Sequence, residues 1–254
     1  KHLQFIILIS FFFNKVVGQR DVALEIIQDL CSDEMAGRGY VDQGHLKAAR
    51  YINQKFTELN MSSFQEDNYL QPFSINVNSF PNSTYVSLDN RSLRQGLDFL
   101  IEPNSGSAKG IFKLYYVDVN NLMVFLSELS EAKKNPLNEK AVVLNSSGTK
   151  NIDTLKIFNE LKYSLAQLCP VIWVKKGKLI WSVGNEALEY PIVEIKDTTL
   201  NDATSITLDI TNKYLENMTT HNVIGYIEGK KKNNFRSQGK SHRDHQKKIF
   251  QIGL

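Results

Sequence analysis

Apolar and polar positions alternate along this chain in two textures. The first is helical. Ala23, Ile26, Ile27 and Leu30 recur at the spacing of one helix face, with Asp21 placed to cap it. Leu46, Ala49, Ile52, Phe56 and Leu59 form a second stripe, with Asp42 as its cap, and Gly37 and Gly39 break the chain between the two helices. Neither helix is apolar all round, so each needs a surface to cover. Alternating runs at 73–77, 85–88 and 97–101 then predict strands.

From about residue 82 to residue 212 the texture changes. Apolar runs at 110–117, 141–144, 171–174, 179–183, 192–195 and 206–210 predict strands, and periodic segments at 120–133 and 152–167 predict helices. Strands mixed with a few helices suggest a compact β-rich α+β module. Residues 213–220 are polar and predict a linker, and 222–228 again predicts a strand. This pattern predicts a first domain over 19–81, an insert over 82–212, a return strand over 213–229 and an unstructured basic tail over 230–254.

Charge sharpens the picture. The formal net charge is +3 over 254 residues, but the tail holds eight Lys or Arg against the single acid Asp244. Without the tail and residues 1–18, the body carries 20 basic side chains against 26 acidic ones, a net charge of −6. An acidic body makes nucleic acid a poor partner. Lys1 and His2 precede an apolar run over 3–13, followed by the small residues Val16-Val17-Gly18. That arrangement predicts a signal peptide over 1–18, hence an exported protein, periplasmic or extracellular, and the run is too short to span a bilayer. Cys31 and Cys169 define no disulfide framework and are read as separate buried thiols.

Three stretches carry a resemblance to a known family. They are Ser32-Asp33-Glu34-Met35-Ala36-Gly37-Arg38-Gly39 with His45-Leu46-Lys47-Ala48-Ala49-Arg50-Tyr51-Ile52, then Asn68-Tyr69-Leu70-Gln71-Pro72-Phe73, and finally Asn222-Val223-Ile224-Gly225-Tyr226-Ile227-Glu228-Gly229. They resemble the exported co-catalytic zinc aminopeptidases, bacterial leucyl-aminopeptidase-like metallopeptidases related to transferrin-receptor-like and glutamate-carboxypeptidase-like proteins. The central block resembles the protease-associated domain that many such peptidases insert here, through Lys140-Ala141-Val142-Val143-Leu144, Pro170-Val171-Ile172-Trp173-Val174 and Tyr190-Pro191-Ile192-Val193-Glu194-Ile195. It departs from that pattern where Leu168-Cys169-Pro170 replaces a glycine-rich turn.

The resemblance implies an α/β fold: an incomplete aminopeptidase-type mixed-sheet domain interrupted by the β-rich insert. It also implies two zinc ions, peptide or protein substrates or ligands, and hydrolysis of N-terminal residues. A di-zinc centre needs several His and carboxylate ligands on rigid strand ends. The sequence supplies few candidates. His45 reads as a surface or capping residue and His221 as a strand-edge residue. Asp33 and Glu34 read as surface charge closing the first helix, and Glu228 has no partner acid. The tail holds His242-Arg243-Asp244-His245, which matches the family's His-x-Asp-His metal motif, but the preceding KKKNNFRSQGKS offers no apolar strand to hold it. A one-base shift in permitted codons over Ser241 to His245 would read as an apolar strand, so an out-of-frame tail is a second explanation. No catalytic, cofactor-binding or metal residue is assigned from sequence. The expectation is an aminopeptidase-like chain without its di-zinc centre. The alternative is a non-catalytic peptide- or partner-binding protein built on the insert.

Overall fold

The computed structural model describes residues 20–64, 68–131, 137–200, 202–228 and 247–253. The leader over 1–18 and the His242–Asp244 pattern lie outside the described residues. The fold is mixed α/β and divides into two compact units, one of residues 1–74 with 219–254, the other of residues 75–218.

In the first unit, helix α1 occupies residues 20–30, with Asp21 inside it rather than at a cap. Its expected apolar face is largely uncovered, Ile27 being 56% exposed. Only the last turn is engaged: Leu30 packs on the core and Asp29 Oδ2 accepts a 2.7 Å hydrogen bond from the Tyr51 hydroxyl. Two 3-10 turns, Asp33–Arg38 and Val41–Gln43, lead into α2, Gly44–Glu58. Asp42 sits at positive φ within the second turn, and Gln43 rather than Asp42 precedes α2. Gly44 is required here, since a Cβ would lie 2.4 Å from the Met35 carbonyl oxygen. Ala48, Ala49, Ile52 and Phe56 are buried along α2 as the stripe predicts, while Leu59 at its end is exposed.

The chain leaves this unit within β1, Leu70–Ser79, and returns within β10, described below.

The second unit is an eight-stranded sheet with two longer helices on one side and a short one on the other. In chain order its elements are β2 (Tyr85–Leu88), β3 (Arg91–Ser92), β4 (Phe99–Ile101), β5 (Ala108–Asp118), α3 (Leu122–Glu131), β6 (Lys140–Asn145), α4 (Ile152–Leu165), β7 (Val171–Lys175), β8 (Ile192–Lys196), the short α5 (Asp197–Leu200) and β9 (Ser205–Ile210). The strand order is β3-β2-β9-β5-β6-β7-β8-β4. Strands β5 to β8 run parallel, joined through α3 and α4, and the remaining pairs are antiparallel.

Period-two alternation sorts the side chains onto two faces. Val142, Leu144, Val171 and Ile192 join Phe125, Phe158, Leu161 and Leu165 under the helices. Ala141, Val143, Ile172, Val174, Val193 and Ile195 point the other way, into a second core. That core also takes Val86 and Leu88 from one end of the sheet and Phe99 and Ile101 from the other, so the sheet curls on itself. A buried polar clasp completes the unit: Asn78 Nδ2 donates to the carbonyls of Pro103 and Ser105, and Asn212 Nδ2 donates to Asn78 Oδ1.

Strand β10 (Lys213–Glu228) and strand β11 (Lys247–Gly253) end the chain. Two expectations are corrected here. The polar stretch 213–220 is strand, not linker. Residues 247–253 are strand, not unstructured tail. The order is β1-β10-β11, and the expected strand over 222–228 pairs antiparallel with β11. The expected strand over 179–183 is extended but belongs to no ladder.

Candidate functional site

The sheet face beneath α4 should be apolar throughout, yet it carries charge at one end. On α4 the buried positions Phe158, Leu161 and Leu165 follow helical spacing, and Lys162 shares their burial. Asn151 caps the helix, its Oδ1 accepting from the Thr154 amide at 3.0 Å, which fixes the register of these side chains. Facing Lys162 are Trp173 from β7, Glu194 from β8, and Glu102 immediately after β4.

The geometry is closely specified. Lys162 Nζ lies 2.8 Å from Glu102 Oε2, with both side chains nearly buried, at 7% and 10% exposure. This is a close ion pair rather than an aligned hydrogen bond. Glu102 Oε1 accepts a 2.6 Å hydrogen bond from the Tyr163 hydroxyl. The same ammonium stands 4.4 Å from the Tyr163 ring centroid and 5.1 Å from that of Trp173, both within cation–π range. Beside it, Lys175 Nζ pairs with Glu194 Oε1 at 3.1 Å. Burial, then the Glu102 carboxylate, push the Tyr163 phenol well above its ordinary value, so it remains a donor.

Glu102, Lys162, Tyr163 and Glu194 line a cavity of about 350 Å³ with Ile101, Pro103, Asn104, Ile180, Ser182 and Val183, and Trp173 and Lys175 stand beside these charges. Two carboxylates and two ammonium groups balance. The phenol is locked as a donor, and no activated nucleophile stands among the lining groups. Such a cluster can orient a polar ligand; it is not an acid–base pair poised for proton transfer.

Sequence reasoning did not single out Glu102, Lys162, Tyr163, Lys175 or Glu194. The available signal was Lys162 within the apolar stripe of α4 and Glu194 at the alternating core-facing position of β8.

The sequence candidates lie elsewhere. His45 is 3% exposed, correcting its reading as a surface or capping residue. Its ring rests against Tyr40 with centroids 5.0 Å apart, and Nδ1 lies 3.4 Å from the Gly39 carbonyl. It is buried because the Gly37–Gly39 turn folds back over the first turn of α2. Burial holds its pKa below the ordinary histidine value, and His221 is near enough for its charge to add to that. His45 Nε2 and His221 Nδ1 are both buried, and among the described residues no well-aligned hydrogen bond reaches either. Asp33 and Glu34 are exposed, as expected.

Cys31 is exposed rather than buried; Cys169 is buried, and both are free thiols. Burial pushes the Cys169 thiol up to about 12.

A di-zinc centre does not fit these donors. Among the described residues, no three His, Cys, Asp or Glu side chains come together. No catalytic step through zinc is derived for them.

No family model and no curated protein matches the chain. Among solved structures, an aminopeptidase from Aneurinibacillus sp. strain AM-1 superposes with a TM-score of 0.46 and 18% identity, over 75% of this chain and 45% of that one. The likeness is to bacterial aminopeptidases. A peptidase M28 precursor from Shewanella amazonensis SB2B gives a TM-score of 0.48 and 14% identity, over 85% and 55% of the two chains. A zinc aminopeptidase from Bacillus subtilis gives 0.44 and 15%, over 74% and 42%. The chain thus spans about half the length of these proteins. Scores of this size describe a loose, partial superposition and carry no statement about activity. No helix among the described residues is long and apolar enough to cross a membrane.

Proposed function

We propose that this chain forms the N-terminal scaffold of an exported, zinc-dependent aminopeptidase-like metallopeptidase that removes N-terminal residues from peptides when its metal-bearing part is joined to it. In this reading residues 1–18 direct export, residues 19–81 and 213–229 belong to the peptidase domain, and 82–212 is a protease-associated-like insert.

One observation carries the reading. The motif segments that resemble the family are far apart in sequence, yet they pack together without the intervening block. Tyr226 exchanges backbone hydrogen bonds with Ser62, each at 2.9 Å. Ile224 N–H donates to the Tyr69 carbonyl at 2.8 Å. Val223 shares a core with Ala49, Ile52, Phe56 and Tyr69. Gly225 is where α2 comes closest, since a Cβ there would lie 2.8 Å from the Phe56 ring. A domain interrupted by an insert requires this convergence; a chance motif match does not.

The genomic sequence past the codon for Gly229 tests the proposal. The expected result is a reading frame encoding an apolar strand that ends in His-x-Asp-His. A continuous frame with no such strand, on either side of the tail codons, would contradict it.

The cavity beside Lys162 favours a second reading, a non-catalytic protein that holds a peptide or partner in the insert. It predicts retention of peptides on the immobilised chain without their hydrolysis, and loss of that retention in Lys162→Ala. Failure to retain any member of a peptide library would remove it.

A further inference from the structure

Residues 174–184 read Val-Lys-Lys-Gly-Lys-Leu-Ile-Trp-Ser-Val-Gly, three lysines followed by four bulky apolar residues within five positions. The segment joins β7 to β8 on the second unit. Both ends are held. At the start Lys175 is tied to Glu194 at 3.1 Å. At the far end the Gly184 carbonyl accepts from the Asn78 amide at 2.9 Å, and Gly184 packs so tightly that a Cβ would meet Pro103 and Asn104 at 2.4 Å.

Between these anchors the segment is extended, turning at Gly177 where φ is +94°, and it joins no ladder. Leu179 and Trp181 border one depression with Gln95, Gly96 and Leu100, while Ile180, Ser182 and Val183 border the cavity that holds Glu102 and Lys162.

Neither depression covers these side chains. Ile180 is 78% exposed, Trp181 69% and Val183 60%. Lys176 and Lys178 are exposed and have no acid partner among the described residues. The nearest acids along the chain on the far side, Glu186 and Glu189, lie beyond the Gly184 anchor. A loop with a fixed base and an uncovered tip of Trp, Ile and Val flanked by unpaired lysines is complementary to one kind of surface. That surface presents anionic groups above an apolar layer.

We propose that the 176–183 loop is a membrane-surface anchor. Ile180, Trp181 and Val183 enter the boundary between headgroups and acyl chains of a bilayer containing anionic phospholipid, and Lys176 and Lys178 rest among its headgroups. The loop lies on the surface and spans nothing. This assignment is independent of the peptidase reading.

The test uses the full chain with vesicles of phosphatidylcholine alone or mixed with phosphatidylglycerol, read by co-sedimentation and tryptophan emission. Binding to the mixed vesicles is expected, with a blue shift of emission and weakening as salt is raised. In Ile180→Ser/Trp181→Ser, binding and shift are lost while circular dichroism is unchanged, because both side chains are exposed in the fold. Lys176→Gln/Lys178→Gln weakens partition by on the order of thirtyfold. The proposal is overturned by absence of sedimentation with either vesicle, or by binding that the apolar variants leave intact. It is equally overturned if those variants abolish self-association or capture of an acidic peptide while neither they nor the parent chain binds vesicles.

Discussion

Replacing Lys162 by Ala strands a carboxylate. Glu102 would keep its bond from Tyr163 but lose the one cation paired with it among the described residues, in a place where its side chain is 10% exposed. Removing one partner of a buried ion pair costs about 3–5 kcal/mol. The adjoining cavity of about 350 Å³ lets water approach, which favours the lower end. About 3 kcal/mol corresponds to a fall in Tm of roughly 6–12 °C for a unit of this size. The double variant Lys162→Met/Glu102→Gln removes both charges and leaves Tyr163 a neutral acceptor, so its stability should return to within about 1 kcal/mol of the parent. Urea unfolding followed by fluorescence measures all three proteins, since Trp173 stands beside the ammonium. A Lys162→Ala penalty of surface size, about 0.5 kcal/mol or less, would refute the reasoning. So would a double variant as unstable as Lys162→Ala.

Three other predictions are briefer. Gly225→Ala should destabilise the first unit by about 1–3 kcal/mol through overpacking against Phe56, and Phe56→Leu should recover part of the loss in the double variant; thermal melts report both. Native thiol titration should label Cys31 and spare Cys169. Because the folded Cys169 pKa lies near 12 and the unfolded one near 9.0, its contribution to stability is complete below about pH 9 and declines as pH rises toward 12. His45 has the opposite sense: its folded pKa is depressed, so stability present above about pH 6.5 is lost as pH falls, and His45→Phe should flatten that loss in melts recorded between pH 7 and 5.

What the sequence disclosed followed from burial. The central strands are legible because both faces are covered, so Ala141 to Leu144 and Val171 to Val174 read as continuous apolar runs. The stripe of α2 is legible for the same reason. Where burial does not decide, composition misled. Residues 213–219 are exposed or half-buried, so their polar character says nothing against a strand ordered by backbone pairing. The apolar run at 179–183 has strand composition but no neighbour to pair with. Leu59 continues the α2 stripe in sequence but falls past the end of the packed helix. The candidate site was hidden because its charges are satisfied across long sequence separations. Lys162 is an ordinary helical lysine until Glu102 is brought beneath it, and no local pattern announces that meeting. His45 was misread because its burial depends on the Gly37–Gly39 turn folding back over it.

The central proposal is that the described residues build the approach to a di-cation peptidase centre and hold no cluster of three or more possible ligands among themselves. The most direct measurement is metal content of the purified chain after incubation with zinc, together with release of product from a chromogenic aminoacyl substrate. The account predicts no stoichiometric zinc and no turnover. Two equivalents of tightly held zinc accompanied by hydrolysis would contradict it.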